Sequence, residues 1–145
     1  MTMQASYFEG QGRWVRDAAD WTPESSRRAR AFTVYAALRS LGREGVADLV
    51  DRCCELAVQF ANGVSRLPGC ELLNDVVVNQ VLFRFGDDET TNAVLASVQE
   101  SGEAWMGGTM WDGRAAIRVS VSGWRTTEAD IDRTVAAFKS ALVAV

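Results

Sequence analysis

Val81-Leu82-Phe83-Arg84-Phe85-Gly86-Asp87-Asp88 is the stretch in which the chain changes period. Within it Val81, Phe83 and Phe85 alternate with Leu82 and Arg84, the two-residue repeat of a strand. Gly86 turns the chain, and Asp87 or Asp88 can cap a helix that carries Val94, Leu95 and Val98 and stops at Gly102. Upstream the period is 3.6. Val46, Leu49, Val50, Cys53, Ala57, Phe60, Ala61 and Val64 follow an i, i+3, i+4, i+7 pattern, and Leu67-Pro68-Gly69 ends that helix. Gly42 and Gly45 bracket a break before it. Residues 26–41 are apolar over more than one face, at Ala31, Phe32, Val34, Tyr35, Leu38 and Leu41, which predicts a well-buried helix.

Glu71–Asn74 is a short strand candidate, and Trp105–Met110 reads as another strand. Asp112-Gly113 is a strong hairpin turn into a last strand, in which Ile117, Val119 and Val121 alternate with Arg118, Ser120 and Ser122. Thr127-x-x-Asp130 resembles a capping box and opens a final helix with Ile131, Val135, Phe138 and Leu142 on one face. The order α-α-β-β-α-β-β-α predicts the α+β class: two N-terminal helices, then a four-stranded antiparallel sheet (β-β-α-β-β-α) with helices on one face. Residues 8–24 lack either period and read as an irregular arm.

At 145 residues, with 48% hydrophobic and 23% charged side chains, the chain can bury a core without disulfides or a metal. A net charge of -4 gives no electrostatic footprint for phosphate backbones or anionic lipid, so neither nucleic acid nor membrane is expected as a partner. No apolar run approaches the roughly 18 residues of a membrane helix. With 0 His and Lys139 as the one lysine, histidine-ligated metals, histidine bases and Ser-His or Cys-His nucleophile pairs are absent. Cys53, Cys54 and Cys70 form no CxxC pair, and the odd count without a secretory leader points to reduced thiols in a cytoplasmic protein, with structural roles.

Gly10-Gln11-Gly12 lacks a preceding strand and reads as a flexible loop, not a phosphate loop. Trp14, Trp21, Trp105, Trp111 and Trp124 read mostly as packing or interface residues. Asp87, Asp88 and Glu89 stand where a helix N-terminus favours negative charge, so the capping role outweighs a metal or acid–base cluster. Arg27, Arg28 and Arg30 oppose the dipole of a helix start, a cost that an anion or carboxylate partner would relieve. Arg118 interrupts the small, polar side of its strand. If Ile117, Val119 and Val121 face the helices, Arg118 projects from the opposite sheet face, either as a solvated arginine or as a fork for a carboxylate.

Ser26-Arg27-Arg28-Ala29-Arg30, followed by Ala36-Ala37-Leu38-Arg39-Ser40-Leu41-Gly42-Arg43-Glu44-Gly45, resembles the pyridoxal-phosphate-dependent group II amino-acid decarboxylases. The resemblance continues through Leu73-Asn74-Asp75-Val76-Val77-Val78-Asn79-Gln80-Val81, Ala116-Ile117-Arg118-Val119-Ser120 and Trp124-Arg125-Thr126-Thr127-Glu128-Ala129-Asp130. The ordered series is more specific than any single motif. It implies the C-terminal part of the fold-type-I, aspartate-aminotransferase-like architecture. Residues 1–25 would be the arm and loop from the end of the large domain, and residues 26–145 the connecting helix and small domain.

The family's cofactor-bearing lysine, ring-stacking histidine and nitrogen-pairing aspartate have no counterpart here, and Lys139 matches none of them. The resemblance therefore implies pyridoxal phosphate and an amino-acid substrate in the complete enzyme. No catalytic, cofactor-binding or metal-binding residue is expected in this chain, and the isolated chain is expected to be inactive without bound cofactor. Arg118 occupies the place of the family's small-domain arginine, which implies a contact with the substrate carboxylate. Tyr7–Asp20 matches a mobile loop on which family members commonly carry a proton-donating tyrosine. Glu9–Arg16 instead has Trp14 and no tyrosine, and Tyr7 is too early, which leaves outcomes other than clean decarboxylation open. A piece of a larger domain exposes apolar surface along Ala31, Val34, Leu38 and the Trp14–Trp21 arm, so a homo-oligomer is expected. The alternative is a stand-alone α+β dimerisation or amino-acid-binding module without catalysis.

Overall fold

The computed structural model describes residues 29–145. The arm, Gly10-Gln11-Gly12, Trp14, Trp21, Arg27, Arg28 and the segment assigned to 1–25 lie outside those residues. The chain divides into two compact units, Met1–Gly42 and Arg43–Val145. Helix α1 is continuous over Arg30–Val64 except at Gly42, whose φ of 66° and ψ of -174° interrupt it at the unit boundary. The left-handed φ is open to glycine without a Cβ penalty, and Gly45, the other expected breaker, stays helical.

In the first unit the expected burial is not found. Phe32 is 76% exposed, and Val34, Tyr35, Leu38 and Leu41 are exposed as well. A helix apolar on several sides buries those sides only against other apolar surfaces, and the described residues of this unit are the helix alone.

In the second unit the predicted order holds. Four strands, β1 (Cys70–Leu72), β2 (Gln80–Phe85), β3 (Gly107–Trp111) and β4 (Arg114–Ser120), form an antiparallel sheet in the order β1-β2-β4-β3. Helices α2 (Asp88–Ser101) and α3 (Glu128–Ala144) follow β2 and β4. β1 starts one residue earlier than predicted, and β3 two residues later. Asp112 and Gly113 both take positive φ, 48° and 74°, as a two-residue hairpin turn between β3 and β4 requires.

The β2 and β4 residues of the cluster packed by the helices share one parity, continued by Val121 one residue past β4, while Leu82 and Ala116 are buried on the opposite face. Val81, Phe83, Phe85, Ile117 and Val121 meet Leu56, Phe60 and Val64 of α1, Val94 and Val98 of α2, and Ile131 and Phe138 of α3. All three helices therefore cover the same sheet face, as the alternation predicted. Val50 is the exception on the α1 stripe: it is exposed, while Leu56 is buried. Gly63 belongs to this packing, because a Cβ there would stand 2.8 Å from a Val135 methyl, and its absence lets α1 and α3 approach.

Polar side chains fix the connections. Asn74 accepts from Leu82 N at 2.7 Å, and Asn79 donates to the Val121 carbonyl at 2.9 Å, pinning the loop between β1 and β2 to the sheet. Fully buried Thr91 accepts from Phe85 N at 3.1 Å and donates to Phe85 O at 2.8 Å, which satisfies both backbone groups where β2 ends. Asp87, not Asp88, is the α2 cap, accepting from Thr90 N. Thr127 and Asp130 complete the predicted capping box of α3.

Both cap carboxylates have lowered pKa values. The Thr90 backbone N–H is the first cause at Asp87, and the Thr127 hydroxyl at Asp130. A lowered folded-state pKa contributes stability above the unfolded value of about 3.9 and loses it as pH falls through the folded value. Thermal unfolding followed by circular dichroism should show a fall in Tm below about pH 4. Asp87→Asn combined with Asp130→Asn should flatten that acid limb.

Candidate functional site

The sheet face turned away from the helices carries the arginines. Register pairs Leu82 with Arg118 across β2 and β4, and Gly107 with Arg118 across β3 and β4. Arg118 thus projects from the face opposite Ile117, where the sequence put it, and it is exposed. On the same face Glu71 of β1 stands opposite Arg84 of β2, and Arg114 of β4 stands opposite Trp111 of β3.

Two of the three arginines on this face have carboxylate partners. Arg84 Nη2 donates to Asp88 Oδ1 at 3.0 Å, and Arg114 Nη1 lies 3.5 Å from Glu71 Oε2. Arg118 has no ion pair or side-chain hydrogen bond among the described residues. A guanidinium held on a rigid strand with its fork free can take a carboxylate through two parallel N–H bonds. This is the arrangement a carboxylate-binding residue needs.

Arg84 was legible only as the polar half of an alternating strand, and its burial was not foreseen. It is 4% exposed, and its Nε has no hydrogen-bond partner among the described residues. Asp88 Oδ1 also accepts from Ala115 N at 3.0 Å, so one carboxylate ties the start of α2 to both β2 and β4. The available signal was the i, i+4 spacing of Arg84 and Asp88 across a glycine turn.

The other singled-out residues do not join this face as a site. Cys53 is buried, and Cys54 and Cys70 are half-buried free thiols. Burial pushes the Cys70 thiol up to about 11, which leaves it protonated and unreactive near neutral pH. Trp105, Trp111 and Trp124 are exposed, Trp105 at 82%, so none of them packs in the core. Trp124 lies under the Arg125 guanidinium at 4.7 Å, and its carbonyl accepts from Arg52 Nη2 at 2.6 Å. A cleft of about 550 Å³ lies between α1 and the start of α3, lined by Arg52, Glu55, Gln59, Thr127 and Glu128. It is on the helical side, with the sheet between it and Arg118.

The same separation decides how these residues stand toward pyridoxal phosphate. Lys139, the one lysine, is exposed on α3 next to core residue Phe138, in the helical layer. Arg118 is on the other face of the sheet. One small molecule cannot be held by Lys139 and reached by Arg118 through a packed sheet, because layers stack about 10 Å apart. No histidine exists in the sequence to stack on a pyridine ring. The described residues do not fit the cofactor.

No helix among the described residues is long and apolar enough to cross a membrane. The pyridoxal-dependent decarboxylase conserved domain matches residues 1–86. The chain is 34% identical over 125 residues to 3,4-dihydroxyphenylacetaldehyde synthase of Drosophila melanogaster, covering 86% of this chain and 24% of that protein. It is 27% identical over 126 residues to phenylacetaldehyde synthase of Arabidopsis thaliana, covering 81% of this chain and 26% of that protein. The chain thus spans about a quarter of the length of these curated relatives. Among solved structures, tryptophan decarboxylase of Catharanthus roseus superimposes with a TM-score of 0.74 at 19% identity, over 86% of this chain and 28% of that one. The fold is therefore shared with that enzyme, and with the family match over more than half of its length the chain belongs to the pyridoxal-dependent decarboxylase family.

Proposed function

We propose that this chain forms the small-domain side of the substrate site in a pyridoxal-phosphate-dependent carboxy-lyase-type enzyme acting on an amino acid. Residues 26–145 supply the connecting helix and small domain in this reading, and residues 1–25 belong to the end of the large domain. Arg118 receives the substrate carboxylate. The observation that carries this is the exposed guanidinium of Arg118, which has no ion pair among the described residues, on the sheet face opposite the helix-packed core, where neighbouring arginines already have carboxylate partners. The family's cofactor acts as an electron sink once it is held by a lysine, and no lysine of this sequence stands at a matching position, so in this reading the lysine belongs to the rest of the complete enzyme. The described residues bind and orient; they transfer no proton.

Two of the relatives named above are aldehyde synthases, and Glu9–Arg16 carries no tyrosine. Both facts support a product other than the simple amine, so an aldehyde is the first product to assay, in reactions supplied with dioxygen as the two-electron oxidant and water to release the amino group as ammonia. The experiment joins this chain to a cofactor-bearing large domain of the family and compares wild type with Arg118→Lys and Arg118→Met for amino-acid binding. Loss of a desolvated charge-assisted pair should cost on the order of 2–5 kcal/mol, with methionine worse than lysine because lysine keeps the charge and loses the fork. Equal binding by wild type and Arg118→Met would return Arg118 to the solvated surface. Mixed alone with pyridoxal phosphate, the chain should give no saturable visible band that survives Lys139→Ala.

Self-association belongs to the same proposal. Phe32, Val34, Tyr35, Leu38 and Leu41 leave a contiguous apolar helix surface exposed, and surfaces of that kind drive oligomers. Sedimentation should show a homo-oligomer in the micromolar range that Phe32→Glu combined with Leu38→Glu converts to monomer. A wild-type monomer over that range overturns it. The competing module without catalysis predicts the same oligomer but no gain of activity when the chain is joined to a large domain.

A further inference from the structure

Two glycines open β3, and they are there for different reasons. A Cβ on Gly108 would stand 3.0 Å from Leu95 Cδ2, so the close approach of α2 to the sheet accounts for it. Gly107 has no such account. A Cβ there would meet no atom within 4 Å, and Gly107 is not among the glycines with positive φ. Glycine inside a strand loses backbone freedom and contributes no packing, and it often marks a place where a ligand or another backbone comes close.

Register says what lies beside it. Gly107 is the direct partner of Arg118, on the same sheet face, so any side chain at 107 would rise about 4.5–5.5 Å from Arg118 Cβ. On the other flank Arg118 is paired with Leu82, which is buried. Arg118 therefore stands between an apolar residue and bare backbone, on the side of the sheet that ends in an edge strand.

We propose that Gly107 keeps clear the approach to Arg118, and that its missing side chain is a specificity determinant for carboxylate ligands whose apolar group lies over the β3 backbone. This rests on the reading of Arg118 as a carboxylate-binding residue. A bidentate fork requires the carboxylate to lie in the guanidinium plane, with the rest of the ligand extending away from it. Bare backbone at 107 gives that remainder a floor. A branched side chain there would occupy the same space while leaving the guanidinium in place.

The test uses the full 145-residue chain and 3-phenylpropionate, a carboxylate with an apolar group, followed by NMR at the Arg118 Nε–H. Wild type should show a saturable shift. Gly107→Val should weaken binding by about tenfold or more, and Gly107→Ala by less, since a single added methylene in a binding site already changes affinity by that order. Both variants should keep the wild-type Tm or exceed it, because space is open and glycine is the weaker strand residue, so loss of binding cannot be unfolding. Arg118→Met should abolish the shift seen at the rest of the face. If Gly107→Val binds as wild type while Arg118→Met does not, the inference about Gly107 falls and the reading of Arg118 survives. If Arg118→Met binds as wild type, or if the wild-type chain shows no saturable shift, both fall.

Discussion

Phe83→Ala should lower the unfolding free energy by about 3–5 kcal/mol, measured by urea denaturation at neutral pH. Phe83 has no exposed surface and sits in the middle of an aromatic cluster. Its ring centroid is 5.3 Å from Phe138, 5.6 Å from Phe60 and 5.7 Å from Phe85, each pair edge-to-face. Those partners come from α3, α1 and the next same-face position of β2 itself, so truncation removes contacts with two helices as well as within the strand. None of the three can collapse into the space without moving its helix or strand, which keeps the cavity term large. Phe83→Leu should cost less, because most of the volume stays filled. A loss below about 1 kcal/mol for Phe83→Ala would mean that the helices do not close on the sheet as described.

The second large effect is at Asp88. Asp88→Ala leaves the Arg84 guanidinium buried without its counter-ion and the Ala115 N–H without its acceptor. Breaking a fully buried pair costs about 3–5 kcal/mol. Asp88 itself is 52% exposed on its side chain, so water replaces part of what is lost and about 2–3 kcal/mol is expected. Asp88→Asn keeps an oxygen for both donors and should lose less. Arg84→Met removes the buried charge and leaves a solvated carboxylate, so it should be milder than Asp88→Ala, and the double variant Arg84→Met with Asp88→Ala should recover part of the Asp88→Ala loss. If Asp88→Ala were no worse than Arg84→Met, the buried charge would not be what Asp88 stabilises.

Much of this was written in local pattern. The alternation through Val81, Phe83 and Phe85 reports the core face of β2 because pleated strands put successive side chains on opposite sides, whatever packs against them. Asp112-Gly113 and Thr127-x-x-Asp130 are legible for the same reason: turn and cap chemistry is satisfied within a few residues of itself. Strand ends are not written locally: β3 begins at Gly107, two residues later than the pattern predicts, because where a ladder starts depends on the partner strand. Arg118 could be assigned to the helix-free face from parity alone.

Other features needed the fold. Arg84 and Arg118 have the same place in the alternation, yet one is buried and tied to Asp88 while the other is exposed. Parity gives a face and says nothing of who stands beside a residue on it. Gly107 and Gly108 are adjacent and identical, and only the approach of α2 tells them apart. The exposure of Phe32, Tyr35 and Leu38 was likewise invisible, since an apolar helix predicts a demand for burial and the supply comes from distant parts of a fold.

The sequence by itself determined the α+β order, the core parity of β2 and β4, the capping box of α3, and the absence of histidine with one lysine at 139. Each of these is a property of residue identity or of contacts a few positions apart, where backbone geometry leaves little choice. The tertiary structure alone decided that Lys139 and Arg118 lie on opposite sides of a packed sheet, that Asp88 joins α2 to β2 and β4, and that bare backbone flanks Arg118. Apart from the Arg84–Asp88 contact, whose i, i+4 spacing is local, those are relations between residues 11 to 27 positions apart in the chain, set by how strands pair and helices stack, and no local pattern carries them.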